Sequence, residues 1–312
     1  MRVAENSIAG TVEKLESEVK LPNTRIPSTP ETGTESSSGS IRTEWNVDEQ
    51  DKLLASIMCT NWHTETLTED DEEAGITSKK TLMLGGYSAD YPVIRSVYQM
   101  IKKYAQSPVE FQLFKGIQFN QLTIEMALNA FVKMSWDILG GNHPQSTIVD
   151  PVSSMTGVSY GNALTTKSFK TLEGYIKFGD SFADMSYLRQ VPNFSLSINN
   201  NKERTDALFE TEAIEMSDGD FNVSGTIEVW KAGATARNLS NAGIAGQEKC
   251  FEIMVARTVG DTETSYTIQL KVHLDDSQES KDGNKLKNSI PFTMNSADGI
   301  KFIKTVKTVN NA

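Results

Sequence analysis

Residues that could catalyse a reaction or bind a metal are few and widely spaced in this chain of 312 residues. The histidines His63, His143 and His273 share no HxH or HxxxH spacing, so they do not predict a metal site. The cysteines Cys59 and Cys250 form no CxxC pair, and free cysteine packs as a small apolar side chain, so both are expected to be buried. Neither GxGxxG nor GxxxxGK[ST] occurs, and the acidic residues lack the spacing of a calcium loop. The sequence predicts no enzyme, metal or cofactor.

The net charge of the chain argues against a further class of function, tight binding to nucleic acid. It has 41 acidic and 30 basic residues, a net charge of −11. Tight binding to the phosphates of a nucleic acid needs clustered Lys and Arg, so this kind of binding is excluded, although DNA could still pass close by. No run of 18 apolar residues occurs and the N-terminus lacks an apolar core after basic residues, so neither a membrane span nor a secretory signal is predicted.

Alternation of apolar and polar side chains is the main secondary-structure signal. Within residues 131–138, Val132, Met134, Trp136 and Ile138 share one face. Such a pattern predicts antiparallel strands with one face in the core and one in water. Strands are predicted at 40–47, 111–119, 131–138, 194–198, 221–229, 251–257, 266–274 and 289–294.

Helices are few. Residues 48–58 place Asp48 as the N-cap and put four apolar side chains on one side, which predicts a short helix packed on a sheet through Leu53, Leu54, Ile57 and Met58. Helical spacing also predicts helices at 92–105 and 234–242. Residues rich in Ser, Thr, Pro, Gly and charge predict loops at 28–40, 69–73, 141–162 and 275–288.

The order strand, helix, strand, strand, strand occurs twice. The segment 38–41 (SGSI), followed by Trp45, resembles the segment 224–227 (SGTI), followed by Trp230. This repeat predicts two tandem β domains. The first spans 1–145 with a helical insertion at 85–110, a linker spans 146–165, and the second domain spans 166–312.

The polar faces of the long strands call for an explanation. An antiparallel sheet turns such a face either to bulk water or to the inside of a wide, water-filled barrel. Open sheets also leave edge strands that pair readily with other chains. Assembly into a ring, in which each sheet continues into the next subunit, satisfies both requirements.

Five segments carry a resemblance to the two-domain major tail tube proteins of long-tailed bacteriophages. They are SSSGSIRTEWNVDEQDKLLASIM (36–58), FQLFKGIQFNQLTIEMALNAFVKMSWDILGGN (111–142), TKSFKTLEGYI (166–176), VPNFSLSINNNKERTDALFETEAIEMSDGDFNVSGTIEVW (191–230) and NSIPFTM (288–294). The resemblance implies a mainly β fold of two tandem β sandwiches, each flanked by a short helix. It also implies that three chains close into a pseudo-hexameric β-barrel ring. Residues 85–110 depart from the family, because they are longer than its corresponding loop, and we expect them to form an outward decoration.

The same resemblance implies a structural virion protein that self-assembles into stacked rings, the channel for DNA ejection. Its implied partners are further copies of itself, the tape measure protein, the tail terminator and distal tail proteins, with DNA passing unbound through the lumen. Its implied location is the virion tail, after assembly in the host cytoplasm. Candidate lumen-facing residues lie on the polar sides of the long strands: Ser135, Asp137, Asn222, Ser224, Thr226 and Glu228.

One alternative function stays open on sequence grounds. A tandem β sandwich could bind carbohydrate or another surface, which would require aromatic side chains on an exposed face. Trp45, Trp136 and Trp230 are instead expected on or beside the apolar sides of strands, which favours the tube.

Overall fold

The computed structural model describes residues 3–15, 31–156, 159, 166–231, 234–282, 285–294, 296 and 299–309. Most of the residues that the structure describes lie in strands and few lie in helices, so the mainly β prediction is confirmed. The helices are α1 (Asp51–Ile57), α2 (Glu69–Glu73) and α3 (Ala234–Ile244), with a 3-10 helix at Pro151–Ser154. The strands are β1 (Glu5–Asn6), β2 (Ala9–Leu15), β3 (Glu31–Glu44), β4 (His63–Thr64), β5 (Ile76–Leu82), β6 (Tyr98–Tyr104), β7 (Glu110–Ala127), β8 (Lys133–Gly140), β9 (Ser146–Thr147), β10 (Gly174–Ser181), β11 (Asp184–Tyr187), β12 (Asn193–Asn199), β13 (Glu203–Thr205), β14 (Glu215–Ser217), β15 (Asn222–Trp230), β16 (Glu248–Val259), β17 (Thr262–Leu274), β18 (Gln278–Asp282), β19 (Lys285–Met294) and β20 (Ile300–Thr308).

Two antiparallel layers make up most of the fold. Sheet I has the order β2, β3, β8, β7, β12, β15, β19, β18, with β1 beside β2 on the same edge of β3. Sheet II has the order β11, β10, β16, β17, β20, β5, β4. The layers join where the end of β17 pairs with the end of β19, so hydrogen bonding is continuous between them.

Aromatic side chains fill the space between the layers. Phe194 and Phe292 of sheet I stack at 5.9 Å, and Phe292 contacts Phe251 of sheet II at 6.0 Å. Trp45 contacts both Phe169 and Tyr266, with ring centroids 5.8 and 5.1 Å apart. Burying one such ring contributes about 1.5–3 kcal/mol, so these contacts hold the layers together.

Helix α1 packs on the core as predicted. Leu54, Ile57 and Met58 are fully buried and Leu53 is partly buried against the same core. The N-cap lies two residues later than expected, because Asp48 adopts a left-handed backbone conformation and Gln50 takes the N-cap position.

A buried lysine fixes α1 to sheet II. Lys304 of β20 contacts the carboxylates of Asp48 and Asp51, and the Tyr266 hydroxyl donates to Asp51. Burial by itself lowers the pKa of Lys304, but the two carboxylates outweigh this and hold it above 10.5. The cluster ties the N-terminal half of the chain to its last strand.

The repeated SG[ST]I segments have corresponding places in the two halves. Gly39 pairs with Ile138 of β8, the strand that closes the first half, and Gly225 pairs with Phe292 of β19, which closes the second. A Cβ at Gly39 would lie 2.6 Å from the Ile8 backbone, and one at Gly225 would lie 2.3 Å from the Phe292 ring. Glycine is therefore required at both positions by close packing.

Two parts of the fold prediction are not confirmed. The halves do not form separate sandwiches, because β7 pairs with β12 within sheet I and β5 pairs with β20 within sheet II. One hydrophobic core also runs through both halves. Among the described strands, a single chain forms no closed barrel, and the closure of a barrel by several chains stays a prediction.

The predicted helix at 92–105, and with it the helical insertion at 85–110, is wrong. Residues 98–104 form β6, which pairs with the first half of β7. Gly116, at a φ of 65°, and a register shift between Phe119 and Gln121 divide β7 into two parts. The first part pairs with β6 and β9, and the second belongs to sheet I.

All four predicted loops also contain regular structure, and the loop at 141–162 contains β9 and the 3-10 helix. Residues 31–40 belong to β3, whereas 28–30 lie outside the described residues. Glu69–Glu73 form α2, capped by the side chain of Thr68. Within 275–288, β18 and β19 form an exposed hairpin around two residues that are not described. The predicted helix at 234–242 is confirmed by α3.

Candidate functional site: the polar face of sheet I

The six predicted lumen residues lie on one continuous surface. Residues that pair across antiparallel strands point to the same side of a sheet, so strand register defines rows of side chains. We call the side of sheet I that faces away from the core the polar face. Two of its rows run Arg42, Ser135, Thr123, Ser197, Ser224, Thr293 and Ser40, Asp137, Gln121, Asn199, Asn222. The next two rows run Glu44, Lys133, Glu125, Ser195, Thr226, Pro291 and Ala127, Asn193, Glu228, Ser289, Gln278.

The structure brings the predicted residues of the two halves together. Ser135 and Asp137 lie on β8, and Asn222, Ser224, Thr226 and Glu228 lie on β15, with only β7 and β12 between these strands. Three strand spacings amount to about 14 Å. Asn222 is exposed and the other five are half-buried.

Alternation along each strand separates this face from the core. On β8, Met134, Trp136 and Ile138 are fully buried between the candidate positions. On β15, Val223, Ile227 and Val229 are likewise fully buried between and beside the candidate positions. A shift of one residue in register would exchange the two sets, so the core itself fixes which side chains reach the polar face.

Short neutral side chains dominate the central rows. Gln121 Nε2 donates to Ser197 Oγ at 2.9 Å, which bridges the strands that join the two halves. Charged side chains are scattered among the rows, and some are paired, as Lys287 Nζ is with the Glu228 carboxylate at 3.0 Å. The surface offers many weak hydrogen-bonding groups and no cluster of cations.

Two carboxylates on the polar face have pKa values shifted in opposite directions. Loss of hydration raises the pKa of Asp137, and the Arg42 guanidinium offsets only part of this effect. Burial also raises the pKa of Glu228, but hydrogen bonds from Asn193 and Lys287 outweigh it and bring the pKa below the ordinary 4.5. Glu228 is thus fixed as an anion more firmly than Asp137.

Sequence reasoning missed the middle of this surface. The predicted strand 111–119 ends too early, because β7 continues to Ala127 and supplies Gln121, Thr123 and Glu125 to the polar face. The signal was present in the sequence, since Leu122, Ile124 and Met126 alternate with these residues.

Evidence for other kinds of site is weak in the described part of the chain. No group of three His, Cys, Asp or Glu residues there could hold a metal ion. No helix among the described residues is long and apolar enough to cross a membrane. Both cysteines are free and buried, as predicted.

One pattern overlooked in the sequence, GVSYG at 157–161, matches GxSxG. A nucleophilic serine in that motif needs a strand before it and a helix after it. A 3-10 helix precedes it here, and of its five residues only Ser159 is described. The match therefore supports no catalytic role.

The tryptophans do not form a platform for sugars. Trp45 and Trp136 are fully buried, and the Trp62 indole donates to the Asp51 carbonyl at 2.9 Å. Trp230 differs from expectation, because it lies in register with the polar face at the end of β15. A single half-buried ring at one corner does not favour carbohydrate binding.

A comparison with known protein families decides the assignment. The family model described as phage tail tube protein matches residues 5–294. The chain belongs to the phage tail tube protein family. The match includes every strand of the polar face and confirms the resemblance. A search of curated proteins finds no match.

Membership in the tail tube family gives the polar face its context. Proteins of this family are structural components of the virion tail, not enzymes. The question for this chain is therefore which of its surfaces meet neighbouring copies and which line a bore.

Proposed function

We propose that this protein is the major tail tube subunit, and that three copies form each ring of a stacked tube through which DNA leaves the virion. In this arrangement each chain supplies two equivalent units, the halves 1–145 and 166–312, which the segment 146–165 links. A ring of three chains therefore contains six units. The observation that carries the proposal is the polar face, which runs without interruption through both halves.

The edges of sheet I suit ring closure. Among the described strands, β2 pairs only with β3 and β18 pairs only with β19, so each has one edge free of backbone partners. All of β18 is exposed. Free edges pair readily with other strands, and joining β18 of one copy to β2 of the next would close the sheet.

The resulting barrel has a suitable size. Sheet I is eight strands wide, since β1 and β2 share one edge of β3, so three copies give a barrel of 24 strands. With a strand spacing of about 4.8 Å and a tilt of about 40°, such a barrel is about 48 Å across its backbone and roughly 10 Å narrower between side chains. A bore of this width admits duplex DNA.

The chemistry of the polar face suits passage of DNA. Hydroxyl and amide groups keep the wall hydrated, and the absence of a cation cluster in the central rows avoids stable contacts with phosphates. Ser135, Asp137, Asn222, Ser224, Thr226 and Glu228 are proposed to line the lumen. The tape measure protein, the tail terminator and distal tail proteins are the proposed partners at the bore and at the tube ends, with assembly in the host cytoplasm.

Electron microscopy of tails that contain this protein tests the proposal. Stacked rings with three-fold symmetry and a central bore are the expected result, with the protein identified in the tube by antibody labelling. Location of the chain in a peripheral fibre, or rings without a bore, would contradict the proposed function.

A further inference from the structure

The loop between β13 and β14 presents an apolar tip to solvent. Leu208 is 85% exposed and Phe209 is fully exposed. Phe209 also has a φ of 71°, a conformation that a bulky residue adopts only when its surroundings impose it. We call residues 206–214 the tip loop.

The tip loop is held in place at several points. The Glu35 amide of β3 donates to the Thr211 carbonyl at 2.7 Å, and the Ile214 amide donates to the Thr205 carbonyl at 3.1 Å. At the base of the ribbon, the buried Lys202 ammonium pairs with Asp218. The chain therefore keeps two large apolar side chains in water in a defined position, which is typical of a binding surface.

An apolar groove of about 440 Å³ opens at another place on the molecule. Its walls come from the end of β7, the beginning of β10, the end of β11 and the beginning of β12, and they include Met126, Ile176 and Val191. Leu128 and Leu172 extend it to the surface and are 62% and 70% exposed. The groove is wide enough for one or two apolar side chains.

The tip loop and the groove lie at opposite ends of the same strand. The groove is lined by residues around the start of β12, including Pro192 and Phe194, whereas the ribbon that carries the tip loop leaves from its end at Asn199. Seven residues of strand separate these points by about 20 Å. A contact between two different surfaces at opposite ends of a molecule does not close on itself, and it builds an open stack.

The charges around the two surfaces are complementary. Residues 203–215 contain five carboxylates, at Glu203, Asp206, Glu210, Glu212 and Glu215, and one cation, at Arg204. Among its described lining residues, the groove has one charged side chain, the cation Arg189, and no carboxylate. The acidic loop is attracted to this cation, and its own negative charge disfavours contacts between two tip loops.

We propose that the tip loop of one copy docks in the apolar groove of a copy in the next ring, with Phe209 as the central side chain. This inference rests on the proposed function, because it names a contact between stacked rings. The ring itself closes through the free edges of β2 and β18, and neither Leu208 nor Phe209 belongs to these strands, so stacking can be lost while rings remain.

Disulfide trapping tests the contact in assembled tails. The double variant Leu172→Cys with Phe209→Cys is compared with each single variant, and the native cysteines do not interfere because both are buried. Under oxidation the double variant is expected to give a ladder of linked chains on a non-reducing gel, and the single variants only background. Normal tubes without a ladder would overturn this proposal and leave the tube function intact, whereas a wild-type protein that forms no tubes would contradict the proposed function itself.

A charged residue introduced in the tip loop gives a second test, in which the stacking of rings is measured. Phe209→Asp is expected to raise the concentration needed for stacking roughly 30-fold, the effect of losing one central interface residue. Its thermal unfolding should match wild type, because the replaced side chain is fully exposed. Val97→Asp, an exposed apolar position outside both surfaces, is the control and should stack normally. Equal stacking by Phe209→Asp and Val97→Asp would overturn the proposal.

Discussion

The outward faces of the two sheets follow the same alternation but carry different chemistry. In sheet II one row runs Lys177, Glu252, Gln269, Lys301. Its charges restrain one another, because Glu252 accepts from Tyr175, Lys177 and Gln269, and Lys301 pairs with Glu65. The matching row of sheet I has Ser135, Thr123, Ser197 and Ser224 at its centre.

This difference shows that the alternation of apolar and polar residues, which determines the fold, does not determine which polar residues face outward. Apolar residues at every second position build the core under both sheets, whichever polar residues lie between them. The outward positions are then free to meet other demands, and here the compared row of sheet II carries long charged side chains while that of sheet I keeps short neutral ones. Only the second kind of surface suits a wall along which DNA slides.

The largest loss of stability is expected when a cation on the core side of sheet II is removed. Removal of a cation on the outward side of the same sheet should cost much less. Lys304→Met removes the cation from a buried cluster and leaves Asp48 and Asp51 without it, which should lower the free energy of unfolding by about 3 kcal/mol. Lys301→Met, three residues earlier on the same strand, loses one partly exposed pair and should cost under about 1 kcal/mol. Denaturant unfolding of both variants measures the difference.

The pH dependence of the Lys304 variant has a definite sign. The pKa of Lys304 is raised in the folded protein, so its stabilising contribution is complete below its ordinary pKa of 10.5 and is lost only as pH rises through the higher folded value. The gap between wild type and Lys304→Met should stay constant from neutral pH to about 10. A gap that closes near neutrality would show that the cluster is not the source of the stability.

The next largest effect is expected on the rate at which DNA is ejected through the tube. Ser135→Lys with Ser224→Lys places two cations per chain in one row of the polar face, where they can contact phosphates. We expect DNA ejection from particles to slow by about tenfold or more, because the cations repeat in every ring. Ser265→Lys with Thr305→Lys, a neighbouring pair on the outward face of sheet II, is the matched control and should eject normally. Slowed ejection by the control alone would reverse the assignment of the two faces.

The smallest loss of stability is expected from the replacement of Glu228. Its folded pKa is lowered, so the carboxylate stabilises the fold above its ordinary pKa of 4.5, and this contribution is lost as pH falls through the lower folded value. Glu228→Gln should therefore be less stable than wild type by under about 1 kcal/mol at neutral pH, with the difference fading below pH 4.5. Thermal unfolding between pH 7 and 3 checks this, and a difference that grows on acidification would contradict it.

Much of this arrangement could be predicted from the sequence. Period-two alternation identified most of the long strands, and it placed Ser135 and Glu228 on the side away from the core, as the structure does. Helix α1 was predicted from its apolar face, with Leu54 and Ile57 buried as expected.

The remaining features depend on pairing between distant segments. Residues 98–104 satisfy helical spacing, yet they form β6 because β7 offers a partner edge, and pairing outweighs local preference. The Ser-rich residues 31–40 resemble a loop by composition, but pairing with β2, and from Ser37 onward also with β8, makes them a strand. The union of the halves through β7 and β12 leaves no local signal in the sequence, since hydrogen bonding between distant strands does not depend on a particular motif.

The radial position of the two outward faces in an assembled ring tests the central claim most directly. A cryo-electron microscopy map of the tail, at a resolution that shows side chains, allows the distance of Ser135 and Ser224 from the tube axis to be compared with that of Lys271 and Lys301. We predict that the two serines lie at the inner radius, facing the bore, and that the two lysines lie at the outer radius. A ring with the lysines at the bore and the serines outside would contradict the account.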